Sequence, residues 1–398
     1  MPTLLLFSLL LPLLGLVLIA GLSHERGGMA RWITLFVTGL STLLLVAAAV
    51  GPRSAAGLAA EGHLDWVPAL GIQLHWGLDP FGWWLSLLLA GLTFWTVVTA
   101  WRDPSSTPHR HAWLLAAQAI GGVCLASQDL VLFAVAWLTL PWILAHAVGS
   151  EGRAHAATKL LAGLGAGQAL FLVAAVVLYL LNGNSSDLVS MAQNHPAGVA
   201  PLWMQTLALL ALAAGFIFPM ALVPFHTWHA DAHEHSPVPF SAWMAGALPV
   251  IAGYSLFRLG VLIMPGPARD LAPWLLGIAA LTVGYGALGA IAYGRTRRGA
   301  SFGAIALTGG SMLALGSFTL SGFQALLWAL PALMAVNPGL QLLAARGRDP
   351  DRVDAAGRSL RGPLLGLAVG LLAAGLFPVV ASPIVAPYVA SVRSLTGW

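Results

Sequence analysis

The residues able to do chemistry gather between Phe216 and Arg258, in the run FIFPMALVPFHTWHADAHEHSPVPFSAWMAGALPVIAGYSLFR. Four histidines, His226, His229, His233 and His235, stand here with Asp231 and Glu234, between two apolar ends. Imidazole titrates near neutral pH and can pass protons on. His229 and His233 are four residues apart and would share a face if the segment were helical. With Asp231 and Glu234 nearby they offer the N/O donors that zinc favours. Pro219, Pro224, Pro237 and Pro239 punctuate the run. Each proline removes a backbone donor and interrupts a helix. Within lipid, such a break survives only where protein or a water-filled cavity covers the freed groups. Three readings stay open from the residues alone: an ion or substrate path at a polar knot between two spans, a metal site, and a solvated loop joining two helices.

The elements that must position this knot are set by composition. The chain has 398 residues, of which 58% are hydrophobic and only 8% charged. Soluble domains carry roughly 25% charged residues, so this is an integral membrane protein. Apolar runs of spanning length fall at about 2–21, 32–50, 79–100, 112–127, 129–149, 160–182, 202–223, 239–263, 271–293, 299–320, 322–344 and 362–392. They predict an all-α, polytopic membrane domain over 1–398 with about twelve helices. The seventh is broken around Pro219 and Pro224; the twelfth is broken by Pro378, Pro383 and Pro387. The first run lacks a basic stretch before it and reads as a retained helix, not a cleaved signal.

Basic residues orient the helices. With the N-terminus outside, the inner loops hold Arg26, Arg31, Arg102, Arg110, Arg153, Lys159, Arg295, Arg297, Arg298, Arg346, Arg348, Arg352, Arg358 and Arg361. The outer ones hold Arg53, Arg269 and Arg393. Both termini are therefore expected outside. The same distribution explains the basic balance, which does not point to nucleic acid. The inner loop 345–361 reads as a solvated topogenic loop. Trp66 and Trp76, in the outer segment 51–78, suit an interfacial layer. Cys124 is the only cysteine, which excludes an intrachain disulfide. Arg258 lies inside a span, about five residues from its outer end, and is expected to snorkel outward. Asp79 and Asp129 open helices, where the dipole favours an acid.

The run VPFHTWHADAH, 223–233, resembles the PxHxWLPDAH signature of the proton-translocating, antiporter-like membrane subunits. These are the large subunits of NADH–quinone oxidoreductase, their membrane-bound hydrogenase relatives and the Mrp-type antiporters, with the subunit M (ND4-like) type most similar. Pro224, His226, Trp228, Asp231, Ala232 and His233 fall on matching positions. Downstream, Tyr254 and Arg258 match a Tyr-x-x-x-Arg pattern. LDPFGWWLSLLLAGL at 78–92, QDLVLFAVAWLTLP at 128–141, Arg297–Arg298 and Leu376–Pro378 resemble further family helices, so a family-like core runs from about 79 to 392. The family usually has about two more C-terminal helices.

The resemblance implies a proton relay at mid-membrane: a Glu on the fifth helix, a Lys on the seventh, another on the eighth and an acid or Lys on the twelfth. Those positions here are Leu138, Pro219, Val250 and, nearby, Ala386. The sole lysine is Lys159, at an inner helix boundary. The expectation is a member whose usual relay is lost. A histidine path through His146, His226, His229 and His233 is one substitute; the other reading has His226 and Asp231 capping the broken helix. The signature accounts for three of the polar residues without a metal, so neither metal nor cofactor is expected.

The resemblance therefore implies a component of a larger complex coupling electron transfer to proton movement, with other membrane subunits as partners and a bacterial plasma membrane as its place. Two alternatives stand beside it: a non-pumping scaffold or regulatory subunit, and a component of a cation antiporter or inorganic-carbon uptake complex. Any redox catalysis would belong to the partners.

Overall fold

Runs of apolar residues too long for a loop form helices, because lipid leaves every backbone group to be satisfied within its own segment. A computed structural model describes residues 2–101, 107–150, 153–194 and 200–346. The helices are α1 (Pro2–Ala20), α2 (Gly27–Ala49), α3 (Pro80–Thr99), α4 (Pro108–Ala126), α5 (Leu130–Gly149), α6 (Ala154–Leu181), α7 (Leu188–Asn194), α8 (Leu202–Ile217), α9 (Thr227–His235), α10 (Val238–Ser255), α11 (Pro265–Tyr293), α12 (Arg297–Gly316) and α13 (Leu320–Arg346). Eleven of the twelve expected runs thus have a helix among the described residues. Nine of these helices are long and apolar enough to cross a membrane. The twelfth run, with Pro378, Pro383, Pro387 and Ala386, lies outside the described residues, as does the inner loop beyond Arg346.

The all-α expectation needs one addition. Residues 51–78 are not merely an interfacial loop. β1 (Ala59–Val67) and β2 (Ile72–Leu78) pair antiparallel. The hairpin is tied to the ends of α4 and α5: Gln128 N donates to His75 O at 2.9 Å and Gln128 Nε2 to Gly77 O at 2.9 Å. Asp79 and Asp129 cap α3 and α5 as their positions suggest. Each carboxylate accepts two backbone N–H groups of the helix it opens, at 2.8–3.0 Å.

α10 is the central post. It is buried almost throughout and continues as a π-helical stretch, Leu256–Val261. Around it, α3, α12 and α13 pack on one side and α8 and α9 on another. Its N-terminal end meets the polar run on α9, while its C-terminal end meets Asp79 beside the hairpin. The bundle therefore has two ends with different chemistry: a hairpin face and a motif face.

Candidate functional site

The break after α8 is built from the residues that cannot continue it. Pro219 and Pro224 lie in the non-helical segment 218–226, with a cis Val223–Pro224 bond and Ala221 in the left-handed region at φ +54. The freed groups find partners within the protein. Val223 N donates to Thr282 Oγ1 on α11 at 3.0 Å, and Trp228 Nε1 donates to Phe218 O at 3.1 Å. Phe218 and Phe225 stack at 4.2 Å. Trp228 lies against α6 where Gly163 leaves room: a Cβ there would stand 2.8 Å from Trp228 Cδ1.

His226 does not cap α9, as one reading had it. Its side chain makes no cap bond, its Nδ1 lacks a partner, and its ring lies 4.5 Å from that of Tyr285. Asp231 does not cap the break either. Lys159 Nζ on α6 donates to one of its carboxylate oxygens, and Arg298 Nη2 on α12 donates to the other at 3.1 Å. Glu234 stands 3.8 Å from Arg298 Nη1. Beneath this, Arg297 is almost fully buried and donates to Glu234 O at 3.0 Å and Ser236 O at 2.8 Å. Its guanidinium closes the C-terminal end of α9, where carbonyls lack helical partners.

His229 and His233 are buried side by side, with ring centroids 4.2 Å apart. Their neighbouring acid faces away, held by Lys159 and Arg298. Among the described residues no group of three or more His, Cys, Asp or Glu is placed to hold a metal ion. The two rings lead instead into a buried neutral chain. Ser241 Oγ on α10 lies 2.9 Å from His233 Nδ1 and 3.4 Å from Gln341 Oε1 on α13; Gln341 Nε2 donates to Ser301 Oγ on α12 at 3.0 Å. Deeper on the same helix pair, Asn337 Nδ2 donates to Ala245 O at 3.2 Å. Sequence reasoning missed Ser241, Ser301, Asn337 and Gln341. Their signal was faint: isolated polar residues inside apolar runs.

The other candidates lie elsewhere. His146 is exposed on α5, where its Nδ1 meets Trp142 O at 2.8 Å and its ring lies 5.5 Å from Trp113. Arg258 does not snorkel; it is 8% exposed. Its guanidinium sits over the Tyr254 ring at 5.3 Å, and its three nitrogens have no hydrogen-bond partner. The Tyr254 hydroxyl donates to Asp79. The short, π-wound turn after α10 holds the side chain inward, where the sequence reading had it running to the surface.

Among the described residues, the positions matched to the relay are themselves apolar. Val250 is fully buried in α10 and Pro219 is buried in the break. Beside Leu138, on the same helix, Phe133 and Trp137 pack with Phe171 of α6 and Phe216 of α8, at centroid separations of 5.3–6.1 Å. Gly215 lets this cluster close, since a Cβ there would stand 2.5 Å from Phe171 Cβ. Gln168 Nε2 on α6 donates to Trp137 O at 2.6 Å beside the cluster, and the Trp137 indole N–H is buried without a partner.

A family description, NADH:quinone oxidoreductase/Mrp antiporter, TM, matches residues 127–396. The chain is 28% identical over 323 residues to NAD(P)H-quinone oxidoreductase chain 4 1 of Synechococcus elongatus, which covers 79% of this chain and 60% of that protein. It is 29% identical over 301 residues to NAD(P)H-quinone oxidoreductase chain 4 of Acaryochloris marina, covering 74% of this chain and 55% of that one. The chain thus spans about three fifths of the length of these curated relatives. Among solved structures, it resembles a chain of respiratory complex I from Thermus thermophilus, with TM-score 0.76 at 20% identity, over 98% of this chain and 86% of that one. A chain of the Mrp complex from a Dietzia species aligns with TM-score 0.75 at 20% identity, over 99% and 78%. Both likenesses concern the fold.

Proposed function

Because the chain belongs to the NADH:quinone oxidoreductase/Mrp antiporter transmembrane family, we propose that it is an antiporter-like membrane subunit of a larger bacterial plasma-membrane complex, one that couples electron transfer to proton movement. In this reading its own interior does not carry protons along the family's usual Glu/Lys row. The observation that carries the proposal is the aromatic cluster of Phe133, Trp137, Phe171 and Phe216, together with buried Val250. A relay needs groups that change charge and water or hydrogen bonds to link them. The aromatic packing at this spot supplies no group that changes charge, and the buried Gln168, which donates to Trp137 O at 2.6 Å, adds only a neutral amide. The subunit keeps the scaffold and its motif-face clamp, and the complex does its redox chemistry on other subunits.

A second reading is favoured by the chain from His229 through His233, Ser241 and Gln341 to Ser301. These hydroxyls, amides and imidazoles could pass a proton part of the way from the motif face. Proton flux into vesicles bearing the whole complex separates the two. The readout is the wild type against His229→Phe with His233→Phe. Unchanged flux with intact assembly supports the scaffold reading; flux lost with assembly preserved supports the histidine path.

A further inference from the structure

On the hairpin face, away from the histidine motif, an open cleft of about 920 Å³ lies between the start of α11 and the turn joining α12 to α13. Arg269, Ser317, Thr319, Ser321 and Gln324 supply its polar lining. The three hydroxyls form a ladder, 3.0 Å from Ser317 Oγ to Thr319 Oγ1 and 3.2 Å from Thr319 Oγ1 to Ser321 Oγ; Ser317 Oγ also donates to Ala314 O at 2.8 Å and Thr319 Oγ1 accepts from Gly322 N at 3.1 Å, which leaves Ser321 as the hydroxyl with a proton to offer. Arg269 is exposed in the second turn of α11. No carboxylate among the described residues forms an ion pair with it. Asp270 follows it in the helix but does not line the cleft. The first turn of α13 opens onto the same space, adding a positive helix end. Phe318, in the turn, holds the left-handed region at φ +47.

This cleft runs into an apolar groove of about 110 Å³ between α8 and α11. Ala272, Gly316 and Phe318 line both. The groove continues along Leu210, Ala213, Leu256, Leu275 and Ile278. Trp274 lines it too, 74% exposed, five residues along α11 from Arg269 and so about 7.5 Å deeper. An exposed Trp at that depth below a cationic rim marks the membrane interface.

We propose that this is a binding site for an acidic glycerophospholipid. Its phosphate sits in the cleft against Arg269 and the Ser321 hydroxyl, and one acyl chain enters the groove beside Ala213 and Trp274. The Arg269 cation and the first turn of α13 favour a negative headgroup, against the carbonyl end of α12, which Gly316 and Ser317 bring to the same rim. The apolar channel joined to them selects a headgroup with a tail over a free anion.

The test uses the full chain in phosphatidylcholine vesicles doped with acyl-brominated phosphatidylglycerol or acyl-brominated phosphatidylcholine. The Trp274 contribution to quenching is taken as the difference between wild type and Trp274→Phe. Quenching is expected to half-saturate at about five-fold lower mole fraction for the glycerol lipid, the ratio given by one Arg near the surface. Arg269→Gln, at an exposed position, is expected to equalise the two lipids. Ala213→Phe, which fills the groove, is expected to remove the phosphatidylglycerol preference in the Trp274 component, while bulk lipid still quenches the 74% exposed ring. Equal quenching by the two lipids in the wild type overturns the site, and that comparison stands whether or not any variant folds. A preference that survives Arg269→Gln also overturns it, as does a preference unchanged in a folded Ala213→Phe protein.

Discussion

Lys159 on α6 donates to Asp231 on α9, and Arg298 on α12 reaches the second oxygen of the same carboxylate at 3.1 Å. One acid therefore ties three helices together at the motif face. The only lysine in the chain holds the broken seventh segment in place, while Phe133, Trp137, Phe171 and Phe216 pack together between α5, α6 and α8.

This clamp predicts energetic coupling. Side-chain exposures of 37%, 23% and 40% for Lys159, Asp231 and Arg298 mean that solvent screens it. A double-mutant cycle between Lys159→Met and Asp231→Asn, read by unfolding in detergent, should give a coupling of about 1 kcal/mol. Strict additivity would remove the pair from the account. Asp231→Ala should destabilise more when Arg298 is present than when it is Met, because two cations then face each other without their acid.

Placing a lysine where the family's eighth-helix lysine would stand should not restore conduction. Val250 is fully buried among apolar neighbours. A lysine there is taken out of water, so Val250→Lys should lower stability by several kcal/mol. Adding Leu138→Glu should leave proton flux at the wild-type level, since the packing of Phe133, Trp137, Phe171 and Phe216 stays in place. Flux gained by the double variant in vesicles would show that side-chain identity alone, and not packing, closes the path.

Much of this architecture is legible in the sequence. Spanning lengths follow from hydropathy, and Pro219 and Pro224 mark the break because proline cannot continue a helix. What is not legible is pairing at a distance. His75 meets Asp187 across 112 residues of chain, Lys159 meets Asp231 across 72, and Ser241 meets Gln341 across 100. No local period encodes such partners. The hairpin also escapes notice: bulges at 59/62 and 65/67 break the alternation that would reveal its strands. Arg258 shows the converse error, since proximity to a helix end in sequence does not fix the direction of a side chain.

Gly163 should be intolerant of size. Its missing Cβ is the space that Trp228 occupies. Gly163→Val should cost about 1–3 kcal/mol through overpacking, concentrated on α9. Hydrogen exchange across residues 227–235 should accelerate while α1 and α2 keep their protection. Uniform acceleration throughout the chain would place the strain elsewhere.

At the opposite face, the hairpin should loosen as pH rises. His75 Nε2 lies 2.8 Å from Glu61 and its Nδ1 lies 2.8 Å from Asp187, which also caps α7 by accepting from Ser190 N. Burial disfavours the imidazolium, but the hydrogen bonds from Asp187 and Glu61 outweigh it and raise the His75 pKa above 6.5. Burial likewise opposes the Asp187 carboxylate, and the bonds from His75 and Ser190 outweigh it, lowering its pKa below 3.8. The raised histidine contributes stability that is complete below 6.5 and disappears as pH climbs through its folded value. The lowered aspartate contributes stability present above 3.8 and lost as pH falls through its own folded value. Amide protection over 59–78 should therefore be greatest between these limits and decline on the alkaline side. His75→Gln should flatten the alkaline decline. His63, the exposed register partner of His75 across the strands, is the control: His63→Gln should leave the profile in place, and a profile that follows His63 instead would assign the titration to the wrong strand.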